Sequence, residues 1–218
     1  MKRSVFKHAI TALALASSAA LSAHADVINF EDVVPNLGLP SYSSGGYDFA
    51  SGGTGFSGVD NATAFSLFAN APTNSSGQFL FALNNDELTM SQGGASFRLQ
   101  GFDFAFVPPV QFSAGTSAGR LVVEAMTAGG LITDEIDFGL SGASGAWSFL
   151  TANTNALANG VTSVKFTACL YDSLGGCARD VGLSQFALDN MRVPEPGSVA
   201  LTLAALGLLV ATRRRQSL

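Results

Sequence analysis

Between residues 26 and 192 the chain never keeps an apolar period of 3.6 residues for three turns. A helix that packs on a core needs such a stripe, so the apolar residues must be buried by strands. What recurs instead are short apolar runs separated by Gly, Ser and Asn. Ten of them read as strands, at 27–32, 47–50, 64–69, 78–82, 96–107, 120–128, 131–138, 146–150, 164–168 and 186–193. In the longest, Phe102, Phe104 and Phe106 alternate with Asp103 and Ala105, which puts three rings on one face. Pro108 and Pro109 end that strand because neither can donate to a ladder. Gly129-Gly130 predicts a hairpin and Asn159-Gly160 a second turn, whereas 35–63 reads as Gly/Ser-rich loop around one short strand. The expectation is an all-β fold, an antiparallel β-sandwich of jelly-roll order. A β-helix is the rival, and no repeat of fixed period supports it.

Charge and residue usage narrow the chemistry. The stretch from Asp26 to Glu195 holds all 16 acidic residues but only five of the 11 basic ones, an excess of 11 negative charges. Such a surface repels nucleic acid and anionic lipid, so both are excluded as partners. Both histidines, His8 and His24, precede Asp26. Ser-His-Asp and Cys-His catalysis and histidine-ligated zinc are therefore out of reach of the body. Lys165 is its one lysine, so an enzyme built on this body would have to work with carboxylates.

The two ends carry addresses. Lys2, Arg3 and Lys7 precede an apolar stretch at 9–21 that closes on Ala23-His24-Ala25, the pattern of a secretory signal peptide cleaved after Ala25. The residue directly after that point is Asp26 and not cysteine, which argues against a lipid anchor there. At the other end, Pro194-Glu195-Pro196 must be extended and accessible, because the prolines fix φ and remove donors. The apolar run at 199–212 is 14 residues. As a helix it would span roughly 21 Å, short of the roughly 30 Å hydrocarbon core. Arg213, Arg214 and Arg215 close it, and the positive-inside rule leaves everything before the prolines outside. Motif, short helix and arginine cluster in this order resemble the PEP-CTERM sorting signal of Gram-negative bacteria, read by the membrane protease/transpeptidase exosortase. The competing reading is a plain membrane anchor. The expected division is a signal peptide at 1–25, a β-sandwich at 26–192 and a sorting signal at 193–218. The resemblance implies transient residence at the inner membrane, exosortase as partner, and a mature protein at the cell surface or in the matrix with exopolysaccharide and biofilm.

Three further sets of residues bear on function. Cys169 and Cys177 are the only cysteines and flank Gly175-Gly176, so in an exported chain they read as a disulfide. Phe30-Glu31-Asp32, with Asp48, and the later Leu188-Asp189-Asn190 resemble the first and last strands of jelly-roll carbohydrate-binding modules. That resemblance implies neighbouring strands and one structural calcium ligated from Glu31, Asp32, Asp48, Asp189 and Asn190. Calcium takes six to eight hard oxygens of this kind. Finally, Glu135-Ile136-Asp137 resembles the catalytic strand of laminarinase-type endoglucanases, but Gly139 and Leu140 stand where the acid/base glutamate belongs. Trp147, the one tryptophan, reads as core. The sequence thus points to a non-catalytic exported protein, with a glycan-binding module as the alternative and a carboxylate glycosidase third.

Overall fold

The computed structural model describes residues 25–66, 70–75, 77–109, 112–154, 157, 160–172, 174–178 and 184–194. The leader before Ala25 and the tail from Glu195 onward, with Pro196 and Arg213 to Arg215, lie outside the described residues. The strands are β1 (Ala25–Ile28), β2 (Asn36–Leu37), β3 (Ser41–Ser44), β4 (Tyr47–Ser51), β5 (Phe56–Asn61), β6 (Gln78–Leu83), β7 (Leu88–Ser91), β8 (Gly101–Phe106), β9 (Gly119–Thr127), β10 (Gly130–Asp137), β11 (Leu150–Asn153), β12 (Val161–Tyr171), β13 (Cys177–Ala178) and β14 (Phe186–Pro194). One short helix, α1 (Ala62–Phe65), follows β5.

These strands form two antiparallel sheets packed face to face. The first runs β11-β8-β14-β6-β5-β2, with β1 also paired to β14, and the second runs β10-β9-β12-β7-β4-β3, with β13 paired to β12. Successive strands pass repeatedly from one sheet to the other, and the first strand lies beside the last.

Alternation drives the packing. From β8, Phe102, Phe104 and Phe106 all point into the core, as do Phe186 and Leu188 of β14. They meet Leu121, Val123 and Ala125 of β9 and Val164, Phe166 and Ala168 of β12. The Phe102 and Phe166 rings contact edge-to-face across the sandwich at 5.2 Å between centroids. Trp147 is fully buried, its ring 4.9 Å from that of Phe106 and its indole N–H donating to the Gly139 carbonyl at 3.2 Å.

The first sheet is also covered on its outer side. Phe79, Phe81 and Leu83 of β6 pack there with Phe65 of α1, and Phe56 and Phe149 border the cluster. β6 is therefore buried on both faces, which explains why Phe79-Leu80-Phe81-Ala82-Leu83 is continuously apolar instead of alternating.

The structure corrects the expected elements in two regions. The segment 64–69 is not a strand where it is described: Asn61 accepts from the Thr63 and Ala64 amides and caps α1 instead. The one strand expected within 35–63, at 47–50, is β4, but the supposed loop around it also contains β2, β3 and β5. β3 and β4 form a hairpin around Gly45 and Gly46, both at positive φ, and present Tyr42, Tyr47 and Phe49 to the core. Two further boundaries shift. β8 begins at Gly101, with Phe97 bridged to Val161 ahead of it, and β11 begins at Leu150, with Ser148 bridged to Thr73.

Truncating Phe102 removes ring contacts with both Phe104 and Phe166. We expect Phe102→Ala to cost about 3–5 kcal/mol in urea unfolding of the mature body, and a loss under about 1 kcal/mol would contradict the core assignment.

Candidate functional site

The carboxylates that resemble a catalytic strand lie on the outer face of the second sheet. Antiparallel register sets Asp137 of β10 opposite Arg120 of β9, and Arg120 in turn opposite Cys169 of β12. Arg120 Nε donates to Asp137 Oδ1 at 3.0 Å and to the Tyr171 hydroxyl oxygen at 2.9 Å, while Nη1 donates to Glu135 Oε2 at 3.0 Å. Its guanidinium lies 5.4 Å from the centroid of the Tyr171 ring. The Tyr171 hydroxyl also donates to Asp137. Next to this group, Lys165 pairs with Glu124 at 2.6 Å and with Glu87 at 3.7 Å.

The electrostatics run against acid catalysis. The Tyr171 hydroxyl, and after it Arg120, hold Asp137 below the ordinary carboxylate value. Burial pushes the Tyr171 hydroxyl up, and hydrogen bonding to Glu135 first of all raises Arg120 further. A glycosidase acid needs the opposite shift, a carboxyl kept protonated near neutrality. Both carboxylates here are committed to one guanidinium. Gly139 follows at φ +70°, and Leu140 is exposed. The arrangement ties three strands together.

Cys169 and Cys177 are joined as a disulfide, with Cα atoms 5.3 Å apart. It fastens β13 to β12 beside Tyr171, whose register partner is Cys177. Asp172 closes the intervening turn by accepting from the amides of Leu174 and Gly176 at 2.8 and 2.7 Å.

The five residues expected around calcium divide into two groups. Glu31 accepts from the Gln78 amide at 2.6 Å and from its side-chain nitrogen at 3.4 Å. Gly77 permits this approach, since a Cβ there would stand 1.9 Å from Glu31 Oε1. Asp189 is fully buried and accepts from the Asn190 amide at 2.7 Å. Asn190, at φ +47°, donates from its side chain to Asp103 at 2.9 Å. β6 and β14 pair at Leu80 and Leu188, so Gln78 and Asn190 lie two residues along from that pair on adjoining strands. Asp32 and Asp48 instead turn to the β3–β4 hairpin. Asp32 accepts from Ser44 and from the Gly45 amide, and the Ser44 bond lowers its pKa; Asp48 accepts from Ser43 at 2.7 Å. Among the described residues no three His, Cys, Asp or Glu side chains converge as a metal-holding group.

Sequence reasoning missed Gln78, Asp103, Arg120 and Tyr171. Gln78 is the most informative of these, because its Oε1 is buried with no hydrogen-bond partner. Its one sequence signal is a polar residue opening an otherwise apolar strand.

The sorting motif begins within the fold. β14 runs through Val193, which is 1% exposed, to Pro194. The Arg192 carbonyl accepts from the Gln100 amide at 2.8 Å, and Nη2 donates to the Ala152 carbonyl at 3.0 Å.

Residues 192–216 match the PEP-CTERM protein-sorting motif. No curated protein matches the chain by sequence. Among solved structures, the chain is similar to a DUF4465 family protein from Bacteroides caccae, with 14% identity and a TM-score of 0.52 over 78% of this chain and 99% of that one. A lesser likeness, with 13% identity and a TM-score of 0.37, is to Clostridium thermocellum xylanase 10B, solved as its CBM22-1 and GH10 modules with xylohexaose; it covers 80% of this chain and 28% of that one. A family 29 carbohydrate-binding module aligns with 10% identity and a TM-score of 0.33 over 73% of this chain and 91% of that one. The sandwich fold is what the first likeness supports.

Because the folded state lowers the pKa of Asp137, the unfolded chain binds its proton more readily. The stabilisation it brings is complete above the ordinary carboxylate range and is lost as pH falls through the folded value. Thermal melts should therefore show Asp137→Asn less stable than wild type at pH 7 and losing less on acidification below about pH 4. Parallel acid losses in the two proteins would rule out this role.

Proposed function

We propose that this chain is a non-catalytic β-sandwich protein of the cell surface or extracellular matrix, released or attached there by an exosortase-type membrane enzyme and associated with exopolysaccharide. The observation that carries the reading is the sorting motif at 192–216, which indicates export across the membrane and a surface or extracellular fate. The body supports a structural role. Trp147 and most of the described phenylalanines are buried, Phe56, Phe112 and Phe149 are half-buried, and no aromatic residue is among the exposed large side chains as far as the chain is described. A glycan-binding module that stacks sugars needs exposed rings. Here Tyr171, the aromatic of the outer face, lies against Arg120.

Replacement of Glu195 by Ala tests the processing. The variant should accumulate as an unprocessed, membrane-retained precursor, whereas wild type loses Arg213 to Leu218. Mass spectrometry finding those residues on exported wild-type protein would overturn the reading. A pull-down with the native polysaccharide tests the association separately.

We further propose one structural calcium, held by Glu31, Asp189 and Asn190 of the expected set together with Gln78. The donors are hard oxygens of the kind calcium takes, and the orphaned Gln78 Oε1 supports the fit. A bound cation would also relieve repulsion between acids in a body with an excess of negative charge. At a hundredfold excess over Kd, calcium should add about 2.7 kcal/mol of stability, read as a higher melting temperature than in chelator. Gln78→Met should lose most of that rise. An identical melting temperature with calcium and with chelator rejects the site.

A further inference from the structure

We infer that the folded body itself restrains C-terminal processing, because its last strand extends to Pro194, the first proline of the Pro-Glu-Pro signature. The inference rests on the processing proposed above. β14 is an interior strand, flanked by β8 on one side and by β6 and β1 on the other, and it extends to Pro194. Val193 belongs to the main core and is 1% exposed. No spacer separates the last core residue from the motif.

Arg192 pins this end. Its carbonyl accepts from the Gln100 amide at 2.8 Å, its Nη2 donates to the Ala152 carbonyl at 3.0 Å, and its Nη1 stands 3.5 Å from Asp103 Oδ1. The guanidinium passes over Gly101, where a Cβ would lie 2.3 Å from Nη2. The contacts therefore fasten β14 to β8 and β11 at the last residues before Pro194.

A processing enzyme that grips an extended peptide satisfies its main chain by adding it to a cleft as a strand. Residues already paired in an interior strand cannot be added elsewhere, so an enzyme that reads Pro194 and the residues before it must wait for the end of β14 to open. When opening and closing are fast relative to cleavage, the rate follows the open fraction. Pro194 limits the segment that must open, since it has no N–H to extend the ladder. Arg192 is thus a positioning residue for processing, acting through the strand that it holds.

The test compares full-length chains in the native host by pulse-chase and mass spectrometry of precursor and product. Inserting a short Gly-Ser spacer between Val193 and Pro194 leaves the body intact, which an unchanged urea midpoint of the exported protein verifies. The spacer variant should be processed at least about tenfold faster than wild type, equivalent to about 1.4 kcal/mol of opening free energy removed. Arg192→Ala should also be faster, with Arg192→Lys between it and wild type because the lysine keeps a charge toward Asp103. Equal or slower processing of the spacer variant, with wild type processed normally, overturns the restraint alone. If none of the chains is processed, the exosortase reading fails and takes this inference with it.

Discussion

The ring of Phe102 against the ring of Phe166 joins the two sheets, and the rest of the sandwich is arranged around that kind of contact. Every core-facing position of β8 is a phenylalanine, and each ring reaches an aromatic partner, Phe166 for Phe102, Phe138 for Phe104 and Trp147 for Phe106. Flat, rigid rings bury a large area at low cost in side-chain entropy. That economy suits a chain whose connections are rich in glycine, which loses more conformational freedom on folding than other residues do. The stacked core supplies what the loops withdraw.

Charge imposes a second constraint. The body has few bases for many acids, and three of those bases are each used more than once. Arg120 bridges Glu135 and Asp137, Lys165 bridges Glu124 and Glu87, and Arg192 reaches Asp103 while also holding a main-chain carbonyl. Pairs as exposed as these contribute at most about 1 kcal/mol each. Their value lies in placement, since Arg120 and Lys165 sit in the centre of the second sheet where its acids would otherwise crowd together. The same placement makes Glu135 and Asp137 counter-ions of one guanidinium, with Asp137 held below the ordinary carboxylate value.

The sequence made the long strands legible because each buries one face, so alternation survives in 102–106 and 186–188. The strand expected at 47–50 is β4, but β3 was hidden, since its outward positions are Ser41 and Ser43 and its inward ones only Tyr42 and Ser44. Short strands rich in serine and glycine look like loop until a partner sheet is present to bury their alternate residues. The stretch at 64–69 misled for a different reason: Asn61 offers the backbone a local cap, and Phe65 then buries as a helical residue. Partners of the candidate site residues were illegible altogether. Nothing local pairs Glu31 with Gln78, 47 residues away, or Arg120 with Tyr171, 51 residues away. Only the disulfide was readable as a pair, since the body has two cysteines and one way to join them.

The pairing of β1 with β14 has a consequence for how the body reaches its fold. The first strand opens at Ala25, the proposed leader junction, and its partner ends at Pro194, where the Pro-Glu-Pro signature starts. β14 also lies between β8 and β6, so the first sheet lacks its interior strand until the last residues of the body arrive. Contacts of such long sequence separation must overcome loop-closure entropy before they contribute, and they form late. During export the second sheet can assemble earlier, because β9, β10, β12, β7, β4 and β3 all precede β14 in the chain. Closure of the sandwich then awaits the strand that leads into the Pro-Glu-Pro signature, so completing the fold and fixing the residues just before Pro194 are one event.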